Sequence, residues 1–475
     1  MATATGAALA RGNVRGGDRD VNDRSDLIEL LRCPGCTGGR LAREDTIWRC
    51  RTCDACYPVL DGVPWLFAAP DEALAEWRQR LQALLADLAH EAAALRSALE
   101  RPGLTVRARN RLKLQSTARE DHARRLTALL APLGATGAAT PELHRALGTR
   151  IPGAQGLASY YVNLHRDWAW GEEENDAALA AVIDVLRGYA PRRVLVLGAG
   201  GGRLVYDLAR RLRHGLLVAL DINPLNAFVA RRIFAGEHVP MYEFPIAPRD
   251  AESHAILRTL AAPGPLDVPV EFVLADASRA PFAPGSFDLV ITPWLIDILD
   301  EDLASFAPRI NALLEPGGRW LNTGSLAFAQ SDPALRYTLE EVLAIAEAAG
   351  FASPEPDERR MPYMCSPASR HARMESVVTF CAIKERAVDA PAQASVPPWL
   401  ADPHAPVPAL PEFQSAALTM RIYGYLATLI DGRRSIVDMA QVLEKERLMT
   451  TQDALPAVRG FVRRLWEESR LRTRF

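Results

Sequence analysis

The stretch "VLVLGAGGGRL", residues 194 to 204, restricts this chain more than any other. Val194 to Leu197 is a short apolar run of the kind that makes a strand buried on both faces in a parallel sheet. It breaks into glycine from Gly198 to Gly202 and resumes with a helical pattern from Leu204 to Leu212. The segment "GLLVALD" then predicts a second strand ending on an acid, Asp221. Glycines let a backbone approach a ligand with no Cβ in the way, and an acid closing the next strand accepts hydrogen bonds from two ribose hydroxyls. An α/β unit that holds an adenosine-bearing cofactor is implied.

Nicotinamide dinucleotides and S-adenosylmethionine (SAM) are the two main candidates. The dinucleotide fingerprint G-x-G-x-x-G wants its third glycine where this chain has Arg203. Gly198-x-Gly200-x-Gly202 instead matches the G-x-G-x-G of class I methyltransferases. The stretch "VEFVLADASRAPFAPGSFDLVIT" adds a strand ending at Asp276, a turn at Pro284-Gly285 and a strand that begins at Asp288. "LEPGGRWL" follows. The order resembles class I methyltransferases, so the expected fold is Rossmann-like α/β, with Asp276 near the adenine amine.

Cysteine use is lopsided. Five of the seven fall between Cys33 and Cys56, as Cys33-x2-Cys36 and Cys50-x2-Cys53 with Cys56 in surplus. Two such knuckles let four thiolates converge on one tetrahedral Zn²⁺, and a segment this short has little core to hold it otherwise. Cys56 could replace Cys53. With "LIELLRCPGC" before the knuckles and "YPVLDGVPWLF" after them, the segment resembles Trm112-like zinc ribbons. The resemblance implies a structural zinc, since four Cys leave no open coordination position.

Three further stretches are similar to the carnosine N-methyltransferase family: "LHRDWAWGEEENDAA", "LLEPGGRWLNTGSLAF", and "YTLEEVLAIAEAAGF" with "MPYMCSPASRHARMESVVTFCAIK". This resemblance covers about residues 156 to 386 and implies SAM-dependent methylation of an imidazole nitrogen in histidine, a histidine-containing dipeptide or a peptide. It implies that Asn163 and Arg166 help hold the cofactor, Arg166 by its carboxylate, and that Gly198, Gly200 and Gly202 line it. Asp221 matches the ribose acid, Asp276 with Ala277 the adenine pair, and Thr292 and Pro293 the cofactor wall. Asp297 lies near the family's substrate-binding acid, one residue off in its distance to the Pro-Gly-Gly turn, and would hold the imidazole tautomer. Tyr363 would wall the substrate pocket, while Ala329 stands where a His is expected.

A chain of 475 residues is too long for one core and is read in pieces. Residues 1–24 are expected to be a disordered tail, 25–70 the ribbon, 71–155 a helical segment, 156–386 the methyltransferase domain, 387–412 a Pro/Ala-rich linker and 413–475 a helical module. In 71–155, Leu74, Trp77, Leu81, Leu84, Leu88, Leu95 and Leu99 have helical spacing, Pro102-Gly103 ends the pattern, and a second helix runs from about Val106 to Leu133. The last module is loosely similar to small PqqD-like winged helices that bind peptides or partner proteins; a plain helical cap explains it equally. A composition of 49% hydrophobic and 24% charged residues, with no membrane-length apolar run and no secretory signal pattern, points to a cytoplasmic protein. A formal charge of −3 offers no general attraction for nucleic acid. Two other functions fit parts of the pattern: an rRNA or tRNA methyltransferase with a zinc ribbon, and a non-catalytic scaffold.

Overall fold

The computed structural model describes residues 25–134 except 37, residues 156–391 except 267, 300 and 331, and residues 404–471. The expected tail, the end of the helical segment and most of the linker lie outside these residues. The chain divides into two compact units, residues 1–391 and 392–475.

The described part of the first unit begins with a short helix, Ser25–Leu30, and a four-stranded antiparallel sheet in the order β1-β2-β3-β4, formed by Leu41–Glu44, Ile47–Cys50, Cys56–Leu60 and Val63–Pro64. Two helices follow, Pro70–Leu99 and Val106–Leu129, packed against each other. Trp77, Leu81, Leu88 and Ala92 bury one stripe of the first, and the Thr105 hydroxyl caps the second by accepting the Ala108 N–H. The second helix ends earlier than its periodicity predicts. A short 3₁₀ turn at Ala131–Leu133 completes it, because Pro132 has no N–H to continue the helical ladder.

The main sheet has seven strands. In chain order they are β5 Arg193–Leu197, β6 Leu216–Asp221, β9 Glu271–Leu274, β10 Phe287–Pro293, β11 Leu314–Gly324, β12 Asp357–Tyr363 and β13 Arg373–Ile383. Their spatial order is β12-β13-β11-β10-β5-β6-β9. Strands β11, β10, β5, β6 and β9 pair in parallel, and β13 runs antiparallel to β11 and β12. A separate hairpin joins β7 Val239–Glu243 to β8 Ile256–Leu260. The path leaves β5 through β6 to β9 and returns to β10 on its other side, so the strand order reverses between β5 and β10. Ligands of open α/β sheets bind outside the carboxyl ends of the strands at such a reversal.

An exposed β9 edge would leave backbone groups unpaired. The ribbon covers it. The Leu66 N–H donates to Leu274 O at 2.7 Å beside a Trp65–Leu274 parallel bridge, and Arg32 and Ala283 exchange bonds with Pro281 O and Leu30 O at 2.8 Å. Trp65, Leu66 and Leu31 are fully buried in this joint. The helical pair meets the β7–β8 hairpin and the helix Tyr161–His165 through a ring cluster. His122 lies edge-on to Tyr161 at 5.1 Å and to Phe244 at 5.3 Å, and its Nδ1 has no hydrogen-bond partner among the described residues.

The second unit contains helices Pro411–Thr428, Ile436–Lys445 and Thr451–Leu471 around Leu426, Leu429, Met439, Leu443, Ala454 and Val458. Ser435 and Asp438 form a reciprocal cap at the middle helix. Among the described residues this unit has no strand, so the wing of a winged helix is absent there. No described helix is long and apolar enough to cross a membrane.

Candidate active site and thiol cluster

The glycine loop sits at the strand reversal. Gly198, Gly200 and Gly202 have φ of 72°, 57° and 85°, a region where a side chain clashes with the backbone. The three differ in what surrounds them. A Cβ on Gly198 would lie 3.0 Å from Leu295 Cδ1, and one on Gly202 would lie 3.0 Å from Ala230 Cβ. A Cβ on Gly200 would meet nothing within 4 Å, so this is where the loop opens to a ligand. Gly201 faces the other way, where a Cβ would fall 2.4 Å from Asp167 Oδ2.

The segment before the loop clamps it from behind. Trp168 Nε1 donates to Gly201 O at 2.7 Å, and Arg203 Nη1 donates to Asp167 O at 2.9 Å. Asp167 and Trp168 lie in a π-helical turn, Arg166–Trp170, a local widening frequent at functional sites. Arg166 donates through Nε and Nη2 to Asp167 Oδ1 at 2.9 and 2.7 Å. Burial alone would lower its pKa, but the charges of Asp167, Tyr363 and Glu174 hold it above the ordinary value. Asn163 is half-buried on the preceding helix, Tyr161–His165.

Asp221 is buried at the end of β6. Its Oδ2 accepts the Gly200 N–H at 2.7 Å and its Oδ1 the Asn223 N–H at 2.7 Å. Burial raises its pKa to about 6 against the pull of these donors. Asp276 follows β9 and caps a short turn by accepting the Ser278 N–H at 2.8 Å, with Ala277 half-buried beside it. A loop that a Cβ would fill at Gly200, with acids closing the next two strands, fits the adenosine end of SAM.

Thr292 needs correction. Its side chain is fully buried, accepts from Trp320 Nε1 at 3.0 Å and donates to Asn322 Oδ1 at 2.9 Å, so it supplies no cofactor wall. The cause is the central place of β10, covered on both faces from Phe287 to Thr292, which leaves only the half-exposed Pro293 at the strand end.

Asp297 is 6% exposed and stands on the loop after β10. Its Oδ2 accepts from Ser325 Oγ at 3.1 Å and from the Ala327 N–H at 2.9 Å. Tyr363 at the end of β12 lies against Trp294, with ring centroids 4.7 Å apart and planes at 34°. Three non-glycine residues adopt left-handed backbone here: Trp294 at φ 50°, Leu326 at 52° and Met364 at 55°. Such conformations persist where surroundings force them and gather at functional sites. Gly324 makes the first one feasible, since a Cβ there would come within 3.2 Å of Trp294 Cα.

Tyr160, Asp167, Trp168, Glu174 and Trp294 also belong to this region, and none carries a motif that marks it in the sequence. Burial raises the Tyr160 pKa, and the charges of Asp221, Asp297 and Tyr363 raise it further, which puts this phenol within electrostatic reach of both candidate acids. The quoted segment "LHRDWAWGEEENDAA" contained Asp167, Trp168 and Glu174, but nothing in the spacing distinguished them from packing residues.

In the ribbon, the thiols of Cys33, Cys36, Cys50 and Cys53 all lie within 4.8 Å of one another. Cys33 and Cys53 are 3.7 Å apart, Cys36 and Cys50 3.6 Å, and no disulfide joins them. Cys56 is exposed and outside this group. Gly39 permits the close approach, since a Cβ there would fall 2.3 Å from Cys50 Sγ. Four convergent thiols are a donor set that fits tetrahedral Zn²⁺.

Residues 195–321 match a family model described as "Methyltransferase domain". No curated protein matches the chain. Among solved structures, phosphoethanolamine N-methyltransferase 2 of Haemonchus contortus, in complex with SAM, is 16% identical over 50% of this chain, with a TM-score of 0.32. This chain spans 59% of that protein's length. The YcgJ protein of Bacillus subtilis is 15% identical over 44% of this chain and 99% of its own, with a TM-score of 0.32. A SAM-dependent methyltransferase of Thermotoga maritima, described as a possible histamine N-methyltransferase, is 15% identical over 48% of this chain and 98% of its own, with a TM-score of 0.31. Scores this low carry no argument about substrate. The family match and the strand order, with a glycine loop at the reversal, make residues 195–321 a methyltransferase domain of Rossmann-like class I fold.

Proposed function

We propose that the chain methylates an imidazole nitrogen of histidine, a histidine-containing dipeptide or a peptide, and that its thiol cluster is a structural, Trm112-like zinc ribbon. The observation that carries the first part is the way Asp297 is held. Two donors from one loop fix Oδ2, and Oδ1 accepts nothing from the described residues. A fixed carboxylate with an oxygen to spare accepts one ring N–H, which sets the tautomer and aims the other nitrogen. The Trp294–Tyr363 pair offers such a ring a flat apolar wall.

SAM supplies a methyl group already activated by its sulfonium. The residues of this chain therefore need only bind, align and exclude water. Arg166 suits the cofactor carboxylate, Asp221 the ribose and Asp276 the adenine. Neutral imidazole, with an ordinary pKa of about 6.5, presents a lone pair near pH 7, so no strong base is required. Ala329 brings no second polar group to the ring, which leaves Asp297 as its main orienting partner.

Asp297→Asn tests this reading. An amide presents either a donor or an acceptor and no longer favours one tautomer. SAM affinity by calorimetry should stay near wild type, while the barrier to methyl transfer to β-alanyl-histidine rises by about 2–4 kcal/mol, the size of one preorganised hydrogen bond. Transfer at the wild-type rate would remove Asp297 from this role.

A further inference from the structure

Glu172, Glu173 and Glu174 stand together in the first turn of the helix Glu172–Leu186. The first two are exposed, where acids favour a helix N-terminus. Glu174 turns inward instead and is 8% exposed. Its two carboxylate oxygens accept consecutive backbone N–H groups of a distant loop, Oε2 from Met364 at 3.0 Å and Oε1 from Cys365 at 2.8 Å. Met364 is the residue held at φ 55°, and the residue before it is Tyr363. A left-handed methionine does not keep that conformation unaided, and the two charge-assisted bonds supply the restraint. Glu174 also lies close enough to Arg166 for its charge to favour the guanidinium.

We propose that Glu174 is a positioning residue for the acceptor. By fixing the turn after β12 it holds the Tyr363 ring against Trp294, and it ties that wall to the segment carrying Arg166. The proposal rests on the reading of Tyr363 as the acceptor wall. Glu174 itself touches neither reactant.

The test uses the full chain with Glu174→Gln, which keeps shape and one acceptor but points an NH₂ group at the second N–H, and Glu174→Asp, which keeps the charge on a shorter arm. The measurements are hydrogen exchange at the Met364 and Cys365 amides, SAM affinity by calorimetry, melting temperature, and steady-state kinetics with β-alanyl-histidine. Glu174→Gln should speed exchange at those two amides about tenfold and raise the acceptor KM by a similar factor, matching one lost charged hydrogen bond. SAM affinity, kcat and melting temperature should stay close to wild type, and Glu174→Asp should restore part of the KM. Unchanged exchange and KM would overturn the proposal. So would a joint collapse of melting temperature and SAM affinity in both variants, which would make Glu174 a general structural support. If the wild type transfers no methyl to the dipeptide, that dipeptide is not the acceptor and exchange decides for Glu174. Local loss of protection at 364–365 with intact SAM affinity then upholds it, and retained protection overturns it.

Discussion

Asp221 Oδ2 accepts the backbone N–H of Gly200 at 2.7 Å, so the acid that closes β6 also fixes the glycine at which the loop opens. Replacing Asp221 with Ala removes the ribose acceptor and loosens the loop together. Calorimetry should show SAM binding weakened by about 1.5–3 kcal/mol, the range for hydrogen bonds to a charged group.

The same carboxyl predicts a pH dependence. Burial raises its folded pKa to about 6 from an ordinary 3.8, so the folded protein holds a proton there that the unfolded chain has released. Its contribution to stability is therefore present below pH 4 and is lost as pH rises through 6. Ribose hydroxyls need the charged form as acceptor, so SAM affinity should rise over the same interval. Asp221→Asn turns an NH₂ toward one of the two backbone donors and binds SAM less well, but it no longer titrates, so its melting temperature should fall less between pH 4 and pH 8 than that of wild type. An equal fall in both proteins would contradict this.

Adjacent glycines should respond differently. Gly200→Ala meets no protein atom within 4 Å, so only its left-handed backbone resists, at about 1–2 kcal/mol. Its main loss should be SAM binding. Gly201→Ala drives a Cβ against the Asp167 carboxylate and should lower the melting temperature of the ligand-free protein as well. Thermal melts with and without SAM separate the two.

Cys56 and the four clustered thiols make a paired prediction. Freshly purified protein should carry about one zinc by metal analysis. Cys33→Ser or Cys50→Ser should release it, and Cys56→Ser should retain it, because Cys56 stands outside the cluster. The ribbon covers the β9 edge, so metal loss should also lower the melting temperature of the methyltransferase unit.

His122 and His165 give the opposite pH sign from Asp221. Burial lowers the pKa of His122 to about 3 and of His165 to about 4, so both stay neutral in the fold. The unfolded chain protonates them near 6.5, and stability falls as pH drops from there toward 4. His122→Phe keeps a ring beside Tyr161 and Phe244 and removes a buried nitrogen without a partner. The variant should lose less melting temperature between pH 7 and pH 5 than wild type does.

The parts legible in the sequence were those whose chemistry is local. The G-x-G-x-G loop, the acids ending two strands and the knuckle spacing each put a residue type where short-range geometry demands it. The Ser435 cap was readable for the same reason. What could not be read depends on contacts distant along the chain. Trp168 reaches Gly201, and Glu174 reaches Met364 and Cys365, only after folding brings them together. The resemblance put Thr292 on the cofactor wall, but β10 is covered on both faces there and its hydroxyl is bonded to Trp320 and Asn322. The β9 edge covered by Trp65 and Leu66 had no signal beyond two apolar residues.

The acceptor is the central claim, and one labelling experiment tests it most directly. Purified protein is incubated with methyl-labelled SAM and a mixture of histidine, β-alanyl-histidine, histidine-containing peptides and RNA, and the fractions are separated and counted. Label is expected on an imidazole nitrogen in a histidine-bearing fraction, with incorporation falling below the pKa of the ring. Label recovered in RNA would contradict it and leave only the SAM-dependent methyltransferase fold in place.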